Sequence, residues 1–195
     1  MIVKKILAIC IIIIFYFAYF TKMIIQKKQG IKTDQMAKGT KPKKTLIIEL
    51  FLKITTYSIV LVEVLSIFTF HKNLNIIQYV IGLIIASLGV LTFIIAMITM
   101  KDSWRAGIQG EEKTTLIKKG IYKVSRNPAF LGFDLMYIGL LIMFFNIVNL
   151  VFVLLAITLL HLQILEEEKF LINTFGDEYI DYKKKVNRYF GKKYF

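Results

Sequence analysis

Three clusters of residues in this sequence have the types and spacing to do chemistry. The first is Ser125, Arg126, Asn127 and Pro128, in GIYKVSRNPAFLG, at the mouth of an apolar run. Asparagine before proline fits a helix N-cap followed by proline at the first helical position. A helix starting near Pro128 offers free backbone N–H groups and the positive end of its dipole, which bind anions such as carboxylates. Arg126 beside it adds a charge-assisted donor. The second cluster lies in HLQILEEEKFLINTFGDEY. Gln163 and Glu167 are spaced to share one helical face, and His161, Leu165 and Glu168 another. With Glu167 near the helix start at Pro128, a carboxylate would oppose anion-binding amides, a pairing that suits a zwitterionic ligand. The third is KDSWRAGIQGEEKTTLIKKG, where Trp104, the sole tryptophan, precedes Arg105, Gly107 and Gly110. Taken singly, the clusters also read as a capped membrane helix, solvated glutamates and an interfacial tryptophan anchor.

The elements that must position these residues are membrane helices. Of the 195 residues 56% are hydrophobic, and the mean hydropathy is +0.63, above the range of soluble domains. Five apolar segments stand out: Ile6 to Phe20, Leu46 to Phe70, Ile76 to Met100, Ala129 to Phe145 and Leu150 to Leu165. The second carries Glu49, Lys53 and Glu63; Glu63 lies inside the span, where carboxylates are usually paired or functional. Asn146 and Asn149 punctuate the last two segments, which predicts a tight helical hairpin. The net charge of +13 gathers in the stretches flanking the apolar runs. It reads as topology and contact with anionic headgroups; no basic stretch forms a nucleic-acid reading module. The positive-inside rule places residues 21–45, 101–128 and 166–195 in the cytoplasm and the N-terminus outside, across a cytoplasmic (inner) membrane. Gly176 marks a break and Asp177 a plausible N-cap. Tyr179, Tyr182, Val186 and Tyr189 then lie at helical spacing, as an amphipathic helix on the inner leaflet or on the cytoplasmic loops. The single Cys10 excludes an intrachain disulfide and a cysteine-based metal site, and the N-terminal run, lacking a cleavage pattern, reads as retained. The expected fold is an all-α integral membrane protein of about five transmembrane helices with a cytoplasmic C-terminal amphipathic helix. Residues 1–45 form a first helix and basic connector, 46–100 a helical pair, and 101–195 a core holding all three clusters.

SWRAGI, TTLIKKGIYKVSRNPAFLG and EEEKFLINTFGDEYIDYKKKV together resemble the integral membrane methyltransferases related to isoprenylcysteine carboxyl methyltransferase, a pattern shared by phospholipid N-methyltransferases. The last half of the chain carries it. The resemblance implies a helical membrane enzyme that uses S-adenosylmethionine in a cytoplasmic pocket closed by the C-terminal region, with lipophilic acceptors arriving from the bilayer. Carried over by position, the cofactor is expected at Thr114, Leu116, Ile117, Tyr122, Asn127, Pro128, Ala129, Phe130 and Glu167. Glu167, Arg126 and Gln163 are the candidate catalytic residues, and Trp104, Arg105 and Gln163 line the acceptor side. No metal is expected. Two positions depart from the family pattern. Asn127 stands where the family has histidine, keeping a cap and donor but losing a titratable group. Gln163 stands where carboxyl methyltransferases have an arginine for the substrate carboxylate, which opens amine, thiol, phenol or neutral lipid acceptors.

The expected function is methyl transfer from S-adenosylmethionine to a lipophilic small molecule or lipid at the cytoplasmic face. A membrane reductase of the sterol type using NADPH and a non-enzymatic scaffold are the rival readings. The acceptor, the methylated atom and the oligomeric state stay open at this level.

Overall fold

The computed structural model describes residues 2–69, 75–108 and 115–192. Six α-helices follow in order: α1 (Ile2–Lys28), α2 (Lys43–Thr69), α3 (Ile76–Met100), α4 (Pro128–Met143), α5 (Ile147–Phe175) and α6 (Asp177–Lys185). Among the described residues there are two isolated β-bridges and no strand. Helices α1, α2, α3 and α5 are long and apolar enough to cross a membrane, and α4 is a shorter apolar helix. About five spans is therefore the right picture. In a bilayer no water satisfies backbone polar groups, so helices that bond within themselves are the available spanning form. The exposed Phe17, Phe51, Leu61, Ile84, Ile98 and Leu154 suit contact with lipid.

Contacts fix the two ends of the bundle. At one end Lys5 Nζ donates to the Phe68 carbonyl at 2.9 Å, the Tyr79 hydroxyl to the Lys4 carbonyl at 3.1 Å, and Asn146 Nδ2 to Ser66 Oγ at 2.7 Å. Two asparagines start helices there. Asn75 Oδ1 accepts from Ile77 N–H, and Asn146 Oδ1 accepts from Asn149 N–H at 2.9 Å, each satisfying a first-turn donor. The opposite end carries the connector 29–42, residues 101–108 and 115–127, and α6, and the described parts of all three chemical clusters meet there.

Helices α3 and α4 pack along a seam of glycines. A Cβ on Gly89 would meet Met136 N at 2.5 Å, and one on Gly82 would meet the Gly139 carbonyl at 2.6 Å. Gly132 and Gly139 face them from α4 with equally little room. Small residues let backbones approach closely, which is how membrane helices gain packing without a hydrophobic drive between them.

Two boundaries differ from the sequence expectation. α1 runs to Lys28, beyond Phe20, and α5 continues ten residues past Leu165 to Phe175. The second extension has a cause in the pattern: Ile164, Leu171 and Ile172 keep an inward apolar face. It stops at Gly176, whose φ of +52° lies in the left-handed region that glycine tolerates. Gly176 is also the N-cap of α6, so Asp177 opens the helix and does not cap it. α6 docks on the protein: Tyr179, Tyr182 and Val186 pack on Leu116, Leu171, Ile172 and Phe175.

The glycine seam gives the first prediction. Gly89→Leu drives a side chain into the α4 backbone, which cannot yield as a side chain would. It should cost about 3 kcal/mol, the upper end of ordinary overpacking, read as a lowered Tm in detergent.

Candidate active site

Trp104 is the centre of the site. It is 4% exposed and packs edge-on against Tyr19 and Phe93, with ring centroids 5.4 and 6.4 Å away. The interfacial-anchor reading of this residue does not hold, because the segment carrying it folds inward over the bundle. Gln26 of α1 secures it: Gln26 Nε2 donates to the Trp104 carbonyl at 3.1 Å, and Thr33 Oγ1 holds Gln26 Oε1 at 2.8 Å. Beyond Trp104 the chain pairs with the connector. Gln35 N–H donates to the Ala106 carbonyl at 2.8 Å, and Ala106 N–H to the Thr33 carbonyl at 3.0 Å.

Two cavities lie on either side of this segment. The polar-end cavity, of about 900 Å³, is lined by Leu116, Ile117, Tyr122, Arg126, Asn127 and the aromatic residues of α5 and α6. The bilayer-side cavity, of about 870 Å³, is lined by Tyr16, Leu52, Lys53, Tyr57, Phe133 and Gln163, among others. Trp104, Arg105, Gly107, Ala129, Phe130 and Glu167 line both.

The start of α4 has the expected Asn127–Pro128 sequence, but the cap is not made by the side chain. Asn127 Nδ2 donates instead to the Arg188 carbonyl at 3.1 Å, because residues 187–191 lie along 124–127. There Arg126 N–H donates to the Asn187 carbonyl and Gly191 N–H to the Val124 carbonyl. Pro128 has no N–H, and the amides of Ala129 and Phe130 take no partner among the described residues. The first turn thus presents unsatisfied donors at the wall shared by the cavities.

Arg126 lines the polar-end cavity, yet its charge is already engaged. Its Nη2 lies 2.9 Å from Glu168 Oε1, and Arg188 holds both oxygens of the same carboxylate at 3.0 and 2.9 Å. Arg126 and Glu168 are both buried, and a buried charge needs a partner. Glu168 therefore draws in two arginines, one from the α4 start and one from the C-terminal segment. Burial carries the Tyr179 phenol up to about 12 and raises those of Tyr122 and Tyr182. All three stay neutral near neutral pH. Tyr182 donates to the Tyr122 carbonyl at 2.6 Å.

Glu167 projects between the cavities, where the helix spacing placed it. Gln163 Nε2, one turn earlier, donates to Glu167 Oε1 at 3.2 Å and to Glu49 Oε1 at 3.4 Å. Glu49 is the residue that sequence reading missed. Its side chain is sealed from solvent, and it collects Ala37 N–H at 2.8 Å, Lys41 Nζ at 2.6 Å and Ile108 N–H at 2.7 Å. A carboxylate in an apolar helix was the available signal, but its partners lie in two loops with no local pattern. Burial works against the Asp34 carboxylate, but hydrogen bonds from Lys38 and Lys53 hold its pKa below the ordinary value. Thr114 lies outside the described residues; Thr115, Leu116 and Ile117 line the polar-end cavity. Glu63 does not join the site. It is buried in α2, with neither oxygen partnered among the described residues.

The fold and cavities define a helical membrane protein in which a chamber at the loop end and a chamber among the apolar helix faces meet at one wall. The sequence profile of the isoprenylcysteine carboxyl methyltransferase family matches residues 80–173. A Saccharomyces cerevisiae protein-S-isoprenylcysteine O-methyltransferase is 36% identical over 110 residues, covering 55% of this chain and 46% of that protein. The Xenopus laevis protein of the same name is 36% identical over 110 residues, 55% of this chain and 38% of its own. The Homo sapiens one is 32% identical over 110 residues, 55% and 39%. The chain thus matches less than half the length of these relatives. Over the matched stretch it is similar to the isoprenylcysteine carboxyl methyltransferase family.

Glu49→Ala should be costly. It leaves the Lys41 ammonium and two amides without their carboxylate, and removing one partner of a buried pair costs about 3–5 kcal/mol. The expected result is a sharply lowered Tm, with the Trp104 emission shifted to the red as its segment loosens.

Proposed function

We propose that this protein transfers a methyl group from S-adenosylmethionine to a lipophilic acceptor that enters from the bilayer. The observation that carries the reading is the wall common to the two chambers. It allows a polar cofactor and an apolar acceptor to meet without either crossing the other's solvent. The matched relatives carry methyltransferase names and lend nothing to the reductase or scaffold alternatives. Their names specify S-isoprenylcysteine as substrate, so a prenylated thioether is the first acceptor to try here.

The residues present fit the cofactor. The unpartnered Ala129 and Phe130 amides and the helix dipole suit its carboxylate, and Glu167 suits its cationic part. Tyr122, Phe170, Phe175 and Tyr179, all lining the polar-end cavity, supply aromatic surface for a nucleobase. Leu116 and Ile117 add apolar walls. When bound, S-adenosylmethionine supplies an electrophilic methyl on a sulfonium. The chain's own contribution is positional. Trp104 and Phe130 exclude water from the wall and set the line of approach, and alignment alone can supply roughly 7–11 kcal/mol of a barrier. Gln163 holds Glu167 in place, and Arg126 holds the α4 start through Glu168. No side chain needs to form a bond to the methyl group. The basic connector and loop ends orient the site toward the cytoplasm on this reading.

Calorimetry on the detergent-solubilised protein tests it. S-adenosylmethionine should bind in the micromolar range, and Glu167→Ala should weaken binding at least tenfold, as loss of a charged contact does. NADPH should give no heat. An intact protein that ignores S-adenosylmethionine would remove the proposal.

A further inference from the structure

The bilayer-side cavity is apolar except for a few groups near the shared wall, and its cations differ in how firmly they are held. Arg105 donates to the carbonyls of Asp102 and Trp104, so its guanidinium is fastened to the segment that carries it. Lys53 rises from the apolar face of α2, and its Nζ lies 3.0 Å from Asp34 Oδ2. That same oxygen is also held by Lys38 Nζ at 2.7 Å. Asp34 therefore has two cations and needs only one. The Lys53 side chain is 31% exposed, and it lines the cavity together with Asp34, Thr56 and Tyr57. Its head sits beside the reacting wall, because Asp34 pairs through its backbone with Ala106, between Arg105 and Gly107.

We propose that Lys53 determines acceptor specificity: its ammonium leaves Asp34 to receive an anionic group on the lipophilic molecule in the bilayer-side cavity. This rests on reading that cavity as the acceptor site. The exchange leaves no charge orphaned, since Lys38 keeps Asp34 neutralised. A flexible four-carbon stem lets the head move while its methylenes stay in apolar surroundings. Gln163 carries no charge to compete for the anionic group. The cation that recognises an acidic acceptor thus comes from α2, outside the region that matches the family profile.

Trp104 is the only tryptophan and lines both cavities, so its fluorescence reports occupancy. Protein in neutral detergent is titrated with a farnesyl-length thioether ending in a carboxylate, and with the same thioether ending in a primary amide. Wild type should bind the carboxylate about tenfold more tightly, the scale of one charge-assisted contact. Lys53→Met should erase the preference and leave the amide affinity unchanged; Lys53→Arg should restore it. A wild type indifferent to the end group, including one that binds neither probe, overturns the proposal. So does a preference that survives Lys53→Met. Calorimetry with S-adenosylmethionine on the same proteins separates the two readings. Cofactor binding without the carboxylate preference sinks the role of Lys53 alone, and the preference without cofactor binding sinks the methyltransferase alone.

Discussion

The site depends on a carboxylate that cannot reach water. Glu49 sits in the first turns of α2, in a helix otherwise suited to lipid, and must be surrounded by donors to remain there. It finds them in the connector, in the segment after α3 and on α5. The donors come from three separate parts of the chain, so one buried charge gathers the loop end of the bundle into a single structure. Folding that segment inward carries Trp104 into the core and creates the wall between the chambers. The same Gln163 amide that contacts Glu49 also holds Glu167, so a single side chain links the buried charge to the residue between the cavities.

A comparable arrangement organises the other half of the site. Glu168 is held by Arg126 and by Arg188, and the residues beside Arg188 run along the start of α4. The C-terminal segment takes the Asn127 side chain that would have capped α4, so the first-turn amides stay uncapped. It also brings Tyr179 and Tyr182 over the chamber. Adjacent glutamates on α5 have separate duties because consecutive helical positions point in different directions. Glu166 turns toward Thr45 and Lys169, Glu167 toward the cavities and Glu168 toward the arginines.

Much of this was legible in order along the chain. Apolar runs located the five helices, Asn–Pro located the start of α4, and a four-residue spacing put Gln163 and Glu167 on one face. The family resemblance in the last half of the chain is matched by the comparison with known proteins. Trp104 taken singly also fitted an interfacial anchor, because local sequence cannot say whether a loop lies on the membrane or folds over the bundle. Arg126 was legible as a charge-assisted donor, but its partner Glu168 lies more than forty positions away and left no local mark.

By itself the sequence determined what is set by near neighbours: hydrophobic span, helix start and stop, and which side chains share a face. These follow from the geometry of one helix and need no partner. Only the tertiary structure decided how charges were paired and where space was left. Glu49, Glu168 and Asp34 each take donors from distant segments, because a buried charge is stabilised by proximity in space, whatever the separation along the chain. The two chambers are likewise gaps between helices, and a gap has no residue of its own to announce it.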